Sequence, residues 1–242
     1  LTGSGTASSG NVANSISMSS NGNLALANGS GGSAGLASNY SLNATVINIT
    51  QRILDSSGSK IYDANTDAIA SAITLSNLAG GETLTHSGTA STSSANVGSY
   101  TISNLSGISI SNGTGTASNY TLTGGTHSFT IAERAISVNG TRLYDATSNA
   151  EASDLSTQTN LVGSQTLVLS GTGIIANRDV GSNKTVSVGT LTLADGSNGG
   201  LAANYTLSGG THQLSVTQRP LNSSGSKSYD ANTDALANAI TL

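Results

Sequence analysis

The chain repeats itself every 82 to 85 residues, and this period limits its fold more than any other feature. The tripeptide Tyr-Asp-Ala begins at Tyr62, Tyr144 and Tyr229, which sets the two spacings. An arginine at Arg52, Arg134 and Arg219 keeps the same spacing, and an Asn-Tyr pair ending at Tyr40, Tyr120 and Tyr205 recurs at nearly the same spacing. Self-similarity at a long fixed period is typical of an array of similar small domains.

Alignment on the arginine divides the chain into four parts. Residues 52–133 and 134–218 are complete repeats, residues 1–51 match the latter part of a repeat, and residues 219–242 match the first part. We therefore expect the chain to be a piece of a longer array. Incomplete β-domains expose unpaired strand edges, which are templates for pairing with another chain. The alignment thus predicts self-association or fraying through the two partial repeats.

The composition excludes several classes of partner. Charged residues make up 8% of the chain and the net charge is −4, and its few cations are scattered. Without a basic patch, binding to nucleic acid or to an anionic membrane surface is not expected. No run of apolar residues is long enough to span a bilayer, so membrane insertion is not expected either. There is no cysteine, which excludes disulfides and thiol chemistry.

Alternating apolar and polar residues predict an all-β fold. The alternation is clear at residues 47–49, 129–131 and 214–216, and Gly-Gly pairs separate the alternating runs. Six or seven short strands per repeat predict tandem, small, immunoglobulin-like β-sandwiches. One helical turn is expected over residues 66–72, capped by Asp67. The junctions are short and largely free of Gly and Pro, which predicts a semi-rigid rod, and Pro220 should block ladder pairing at the third junction.

Several ordered motifs resemble a known family. The YDG-type repeats of large, filamentous haemagglutinin-like bacterial adhesins are similar in five motifs, at residues 60–64, 87–89, 96–98, 117–122 and 126–134. The chain departs from that pattern at Ala64, Ala146 and Ala231, where the family has glycine. The resemblance implies secretion through a partner transporter in the outer membrane. It also implies an extracellular location on the bacterial cell surface.

One motif resembles the start of a calcium-binding loop. Its oxygen-bearing side chains stand at alternate positions, as Asp63, Asn65 and Asp67 and again as Asp230, Asn232 and Asp234. Calcium favours clustered oxygen ligands. However, the glycine and the distal glutamate of hand-type loops are missing, and the middle copy breaks the triplet. The competing interpretation is that these side chains cap backbone turns. We keep calcium as a hypothesis and expect no other cofactor.

The recurring tyrosines and histidines are interpreted as structural. Six of the seven tyrosines fall at equivalent positions, which favours core-filling rings with hydroxyls bonded near a corner over sugar-stacking surfaces. His127 and His212 stand in matching Gly-Gly-Thr-His sequences and are expected at turns or strand edges. No nucleophile elbow, zinc-protease motif or phosphate loop is present. The sequence thus predicts a protein that is not an enzyme and has no catalytic residues.

Two functions remain open. The first is a structural stalk in a cell-surface adhesin, in which each repeat contacts its neighbours and extends a binding tip from the cell. The second makes the repeats themselves a low-affinity module for a host glycan or a biofilm polysaccharide, through loops such as residues 112–116. Repetition would then raise the avidity of weak contacts. A ranked array of threonines suited to ice is not present at so long a period.

Overall fold

Two compact units make up the protein. The structure, a computed structural model, describes residues 1–30, 35–43, 45–102 and 105–241. The first unit contains Leu1–Lys60 and Asn65–Ile131, and the second contains Ile61–Ala64 and Ala132–Leu242. Both predicted partial repeats include residues outside the described ranges. The short segment Ile61–Ala64 belongs by sequence to the first complete repeat and in space to the second unit.

Short strands dominate both units. The first unit is built from β1 Thr6–Ala7, β2 Ala13–Ser20, β3 Val46–Ile49, β4 Arg52–Ile53, β5 Asp55–Ile61, β6 Asp67–Ile69, β7 Ile73–Ser76, β8 Leu84–Ser91, β9 Gly98–Thr101, β10 Ile108–Asn112, β11 Tyr120–Thr121 and β12 His127–Ala132. The second is built from β13 Arg134–Ala135, β14 Ser137–Leu143, β15 Asn149–Glu151, β16 Thr157–Thr159, β17 Leu167–Ser170, β18 Thr172–Ile175, β19 Gly181–Ser187, β20 Thr192–Asp195, β21 Tyr205–Thr206, β22 Gln213–Thr217, β23 Ser224–Gly225 and β24 Ile240–Thr241.

Helical structure in the described residues is limited to single 3-10 turns. They are Ala37–Asn39, Ala70–Ala72, Ala117–Asn119, Ala152–Asp154, Ala202–Asn204 and Ala237–Ala239. The all-β prediction is confirmed, while the finer prediction of immunoglobulin-like sandwiches in a rod stays a prediction. No helix among the described residues has the length and apolar character needed to cross a membrane.

The complete repeats share one strand order. In the first unit a sheet runs β7-β5-β12-β9, and the corresponding strands of the second unit run β16-β14-β22-β19 within a six-stranded sheet. The central pair β14–β22 is parallel, with Gly140 opposite Leu214, and β22 pairs with β19 in the antiparallel sense. The first and last long strands of a repeat therefore lie side by side, so a repeat closes only when both of its ends are present.

The alternation of buried and exposed residues along the last strand of a repeat shows which face of that strand packs into the core. In β12 the side chains of His127, Phe129 and Ile131 are buried and the residues between them are exposed. Leu214 and Val216 occupy the same inward positions in β22. Each residue of an extended strand faces opposite to the next, which is why the sequence pattern located these strands correctly.

A glycine opposite this strand is required by a close backbone approach. A Cβ on Gly58 would lie 2.4 Å from the carbonyl oxygen of Ala72 and 2.7 Å from the ring of Phe129. Gly140, at the equivalent place in the second unit, faces the carbonyl oxygen of Asp154 in the same way. The 3-10 turn therefore packs directly on the strand, and only glycine leaves room for it.

The predicted helical turn over residues 66–72 is wrong in its first half. Asp67 lies in strand β6, and the 3-10 turn begins only at Ala70. Pairing of β6 with β8, with Ala68 opposite Ala90, holds the segment extended. Tertiary pairing overrides the local preference of an Ala-rich sequence, because one helical turn gains few hydrogen bonds of its own.

Candidate functional site

The most elaborate polar cluster within one unit surrounds two tyrosines of the second unit. It is formed by Tyr62, Arg134, Gln165 and Tyr205, which we call the tyrosine joint. Tyr205 starts β21, which runs parallel to β13 with Arg134 opposite Tyr205. The amide of Ile136 donates to the carbonyl oxygen of Thr206 at 3.0 Å and extends this short ladder. The arginine that marks each repeat thus lies directly beside the tyrosine of the Asn-Tyr pair.

An asparagine holds the arginine in place. Arg134 donates from Nε to the carbonyl oxygen of Asn160 and from Nη2 to its Oδ1, both at 2.7 Å. Asn160 in turn donates from Nδ2 to the carbonyl oxygen of Ala135. Asn160 has a φ of 69°, a conformation that asparagine tolerates better than most residues. The guanidinium is therefore held by two hydrogen bonds to one residue, and that residue is itself bonded to the backbone beside the arginine.

The hydroxyl of Tyr205 is fully engaged. It accepts a hydrogen bond from the amide of Val162 at 3.1 Å and donates to Oε1 of Gln165. Burial of the ring raises the pKa of Tyr205, because the charged phenolate would lose solvation there. The neutral hydroxyl is thus the form that this site stabilises.

Tyr62 reaches the cluster from the preceding repeat. Its ring meets that of Tyr205 edge to face, and its side chain is only 2% exposed. Gln165 donates from Nε2 to the Tyr62 hydroxyl at 3.0 Å. The backbone of Tyr62 is also held, because its amide donates to Ala132 at 2.9 Å and its carbonyl accepts from Nη1 of Arg134 at 3.3 Å. Side chain and backbone are both fixed in the second unit.

Glutamine suits the position between the two rings. Its amide carries one acceptor oxygen and two donor hydrogens, so Gln165 can accept from Tyr205 and donate to Tyr62 at once. The four side chains of the joint offer no acid–base pair or nucleophile arranged for catalysis. What the arrangement can do is hold the Tyr-Asp-Ala loop that begins at Tyr62 in the core of the second unit.

The first unit contains the receiving half of the same arrangement. Arg52 donates to the carbonyl oxygen of Asn77 at 2.6 Å and to its Oδ1 at 2.8 Å. Tyr120 accepts from the amide of Ala79 at 3.2 Å and donates to a carboxylate oxygen of Glu82. The hydrogen bond to Glu82 raises the pKa of Tyr120. Glu82 thus stands where the second unit has Gln165.

The structural interpretation of the six repeated tyrosines holds for three of them. Tyr62, Tyr120 and Tyr205 are buried with bonded hydroxyls. Tyr40 and Tyr229 are exposed, and Tyr144 is only half-buried, so the prediction is wrong for those three. A tyrosine of the Tyr-Asp-Ala or Asn-Tyr motif is buried only where a complete repeat supplies the residues that surround its ring.

Sequence reasoning did not single out Asn77, Asn160 or Gln165. Alignment of the repeats on the arginine offers a signal for two of them. Asn77 and Asn160 follow their arginines by 25 and 26 residues. In a chain so rich in asparagine, that recurrence does not stand out without the structure.

The calcium candidates of the first repeat lie around a lysine. Lys60 donates from Nζ to Oδ1 of Asn65 at 2.6 Å and to its carbonyl oxygen at 2.8 Å. The amide of Asp67 also donates to Oδ1 of Asn65 at 2.9 Å, which is the side-chain-to-backbone turn of the competing interpretation. The two oxygens of Asn65 thus already face an ammonium group.

The third copy of the loop also places a lysine in this position. Lys227 donates from Nζ to Oδ1 of Asp230 at 2.9 Å and to Oδ1 of Asn232 at 2.7 Å, and the amide of Asp234 donates to Oδ1 of Asn232. A basic side chain before each Tyr-Asp-Ala thus braces the loop that follows. The calcium hypothesis stays a prediction with a direct test, given in the Discussion.

The middle copy uses an arginine for the same purpose. Arg142 donates to the carbonyl oxygen and hydroxyl of Thr147, at 2.7 and 3.1 Å, and forms an ion pair with Asp145. The amide of Thr147 donates to Oδ1 of Asp145. That backbone bond is the main reason that the pKa of Asp145 lies below its usual range, and Arg142 adds to it.

The alanine of each Tyr-Asp-Ala has a left-handed backbone. The φ angles of Ala64, Ala146 and Ala231 are 63°, 66° and 58°. Glycine adopts this region without steric cost, whereas a Cβ makes it unfavourable. The replacement of glycine by alanine therefore leaves the turn geometry intact and places strain in it.

The two histidines lie at the start of β12 and immediately before β22, in agreement with the predicted turn or strand-edge positions, but both are buried, which the sequence did not predict. His127 is buried, accepts or donates through Nε2 to the carbonyl oxygen of Leu122 at 2.7 Å, and contacts Ser56 Oγ through Nδ1 at 2.9 Å. A carbonyl oxygen only accepts, so Nε2 carries the proton and Nδ1 accepts. His212 makes the same contact to Leu207 and accepts the amide of Val138.

No cluster of three or more His, Cys, Asp or Glu side chains arranged for a metal occurs among the residues that the structure describes. The features that recur in both units are instead the arginine that is bonded to an asparagine, the Asn-Tyr pair, and the loop that is bonded by a basic side chain. A domain family matches this pattern twice. The YDG domain aligns with residues 47–128 and again with residues 130–213.

The chain belongs to the YDG domain family. The two matched ranges include Tyr-Asp-Ala at Tyr62 and Tyr144, which fills the position that gives the YDG domain its name. In this YDG protein the third residue keeps the glycine-like φ although it is alanine. Searches of curated proteins and of solved structures found no match.

Proposed function

We propose that these YDG repeats are structural spacers of a large bacterial cell-surface adhesin, secreted and displayed outside the cell. The observation that supports it best is the burial of Tyr62 within the second unit, against Tyr205 and Gln165. The segment Ile61–Ala64 comes from the preceding repeat. The core of the second unit therefore includes a loop whose sequence belongs to the preceding repeat, and repeats that share chain segments in this way suit a continuous spacer that extends a binding tip.

The chain path supports the same role. Strand β12 ends at Ala132 and β13 begins at Arg134, so one residue separates them. Such a junction is far shorter than the flexible linkers that let domains move independently. The low proportion of charged residues gives such a spacer little electrostatic attraction for charged partners.

Small-angle scattering on the full chain tests the spacer role. We expect the pair-distance distribution of the wild-type chain to be narrower than that of the Tyr62→Ala variant. Tyr229→Ala in the full chain is the matched control, because it removes the tyrosine of the same motif where the ring is exposed. A wild-type distribution as broad as that of the variant would contradict a stiff joint. Display is tested separately, by detecting the full-length protein on intact cells with an antibody.

A second candidate function is binding of a glycan by the loops. Residues 112–116 form an exposed turn that is fixed by bonds between Thr83 and Thr114, with their hydroxyls 3.2 Å apart. The second unit repeats this bond between Thr166 and Ser197 at 2.8 Å. A turn that presents hydroxyl and amide groups in a fixed geometry suits weak recognition of sugars.

A glycan array separates the two candidates. The wild-type chain and an Asn112→Ala, Thr116→Ala double variant are compared on host and matrix glycans. Binding that the double variant loses would establish the repeats as a recognition module. Equal signals from both chains, at the level of an unrelated β-protein, would leave the spacer role alone.

A further inference from the structure

The first and last long strands of the second complete repeat run in the same direction. β14 and β22 pair in parallel, and residues 139–143 lie opposite residues 213–217. The amide of Tyr144 extends this ladder, because it donates to the carbonyl oxygen of Thr217 at 2.9 Å. The chain therefore enters the strand pair at one end, where β14 begins, and leaves it at the opposite end, where β22 stops.

The first complete repeat has the same arrangement. Strands β5 and β12 are neighbours in their sheet. The amide of Ser56 donates to the carbonyl oxygen of Thr126 at 3.0 Å, and further along the same strands the amide of Tyr62 donates to the carbonyl oxygen of Ala132 at 2.9 Å. Donor and acceptor positions advance together and by the same number of residues, so these two strands are parallel as well.

A second, shorter parallel pair holds the start of each complete repeat. β4 pairs with β11, with Arg52 opposite Tyr120, and β13 pairs with β21, with Arg134 opposite Tyr205. β4 and β13 directly precede β5 and β14 in the chain. The recurring arginine and the recurring Asn-Tyr pair thus fix the same end of the repeat a second time.

The inner face of the parallel pair in the second unit is buried. Val138 and Leu214 are 0% exposed, and Val216 is 2% exposed. The buried ring of His212 ties the two strands together where they begin, because its Nδ1 accepts the amide of Val138 and its Nε2 donates to the carbonyl oxygen of Leu207. Hydrogen bonds in such apolar surroundings are electrostatically stronger than the same bonds in water.

Tension on the chain loads such a pair in shear. A pull acts on the start of β14 and on the end of β22, which lie at opposite ends of the pair, so the force runs along both strands. The strands can then separate only by sliding, and the evenly spaced bonds of the parallel ladder share the load and break together. In an antiparallel pair that is pulled apart at one end, the bonds are instead loaded and broken one after another.

We propose that the parallel first and last strands of each complete YDG repeat form a mechanical clamp, which keeps the repeat folded when the chain is pulled along its length. The clamp of the first repeat is β5 with β12, and that of the second is β14 with β22. The resistance lies in the kinetics of forced unfolding, which is governed by the unfolding rate and not by the equilibrium stability.

This load-bearing function goes beyond the proposed spacer role. A spacer has to extend a tip, and it can do so whether or not its repeats resist a pull. The clamp follows from the strand pairing within each repeat, so it does not depend on where the protein is displayed or on what it binds.

Single-molecule force spectroscopy of the full chain with two directions of pull tests the clamp. The sequence has no cysteine, so a pair of introduced cysteines defines the two points of attachment. Glu133→Cys with Gln218→Cys places these points before β14 and after β22 and loads the clamp in shear. Ser182→Cys with Gln218→Cys places them at the adjoining ends of the antiparallel strands β19 and β22 and opens that pair from one end. All three residues are exposed.

We expect the shear pair to unfold at a force several times that of the other pair, at the same pulling speed. At about 3.4 Å per extended residue, the released segments measure about 290 Å and about 120 Å, so the gain in length identifies which segment has opened. Both variants contain the same ladder, so equilibrium stability cannot account for the difference. Circular dichroism spectra and melting temperatures equal to those of the wild type confirm that both variants fold.

The chain without cysteines, pulled through its two ends, gives a second measurement. Two events at the high force are expected, one for each complete repeat. Equal forces in the two directions of pull would overturn the clamp, and so would the unfolding of both complete repeats at the low force of the Ser182→Cys, Gln218→Cys variant. Either result would leave the spacer role untouched, because scattering tests that role separately.

Discussion

The rings of Tyr62 and Tyr205 meet edge to face, with centroids 5.3 Å apart and planes at 78°. The two residues are far apart in sequence and come from successive repeats, yet both lie in the second unit. Gln165 bonds both hydroxyls. Aromatic pairs in this geometry contribute beyond the area they bury, so the contact stabilises the second unit by means of a loop whose sequence belongs to the preceding repeat.

Removal of the Tyr62 ring should destabilise the second unit. Tyr62→Ala deletes a buried aromatic side chain and leaves Gln165 with an unpaired donor, for an expected cost of about 3 kcal/mol. Hydrogen exchange of amides in β21 and β22 measures it. Tyr229→Ala is the matched control, because that side chain is 94% exposed, and it should leave exchange unchanged. Equal protection in both variants would contradict a stabilising role for the joint.

Glycine at the third position of Tyr-Asp-Ala should stabilise the protein. Ala146 has a φ of 66°, so Ala146→Gly relieves steric strain and should raise the free energy of unfolding by about 1 kcal/mol. Ala132→Gly is the control, because Ala132 is an exposed strand residue and glycine there should cost about 0.5–1 kcal/mol. Denaturant titrations of the two variants should move in opposite directions. A loss of stability in Ala146→Gly would contradict the presence of backbone strain at Ala146.

Calcium should not stabilise the wild-type chain. The ammonium of Lys60 bonds the oxygens of Asn65 that the ion would use. Lys227 and Arg142 likewise bond oxygens of their own loops, on Asn232 and Thr147. Calorimetric titration with calcium chloride should give no heat of binding, and Tm should be the same with calcium as with a chelator. Magnesium serves as the control for ionic strength. A rise in Tm specific to calcium would contradict this expectation.

Acid should weaken the loop around Asp145. The pKa of this carboxyl is held below its usual range by the amide of Thr147 and by Arg142. A lowered pKa in the folded state gives stability that is present above the ordinary carboxyl pKa and is lost as the pH falls through the folded value. Asp145→Asn should therefore reduce stability at neutral pH and have a flatter pH dependence in the acid range.

Thermal melts from pH 7 down to about pH 2, which spans the ordinary carboxyl pKa, measure that difference. Asp179→Asn is a suitable control, because Asp179 is an exposed carboxylate of the same unit. If Asp145→Asn and the wild type lose stability in parallel throughout the range, the carboxylate has no such role.

Much of the fold follows from local pattern. Strict alternation at residues 129–131 and 214–216 identified β12 and β22, because an extended strand turns each side chain to the opposite face. The segment around Asp67 was mistaken for a helical turn because a short Ala-rich sequence has no strong preference of its own. Pairing with β8 decided its conformation.

The candidate site depended far more on contacts between distant residues. The sequence identified Tyr62, Tyr205 and Arg134 as recurring, and it predicted buried rings with bonded hydroxyls. It gave no reason to select Gln165, which lies about midway between Arg134 and Tyr205 in the chain and joins two rings only in space. The burial of the histidines could not be predicted for the same reason, since the carbonyl oxygens that hold them are brought close only by the fold.

The sequence by itself determined the period, the YDG motifs and the strand character of each repeat, because these depend on spacing and on the alternation of side chains along the chain. Only the tertiary structure decided which member of each repeated set is buried. Tyr62 and Tyr229 stand in the same tripeptide, yet one is enclosed and the other exposed. Burial is a property of the residues that surround a side chain, and for Tyr62 those residues come from the next repeat.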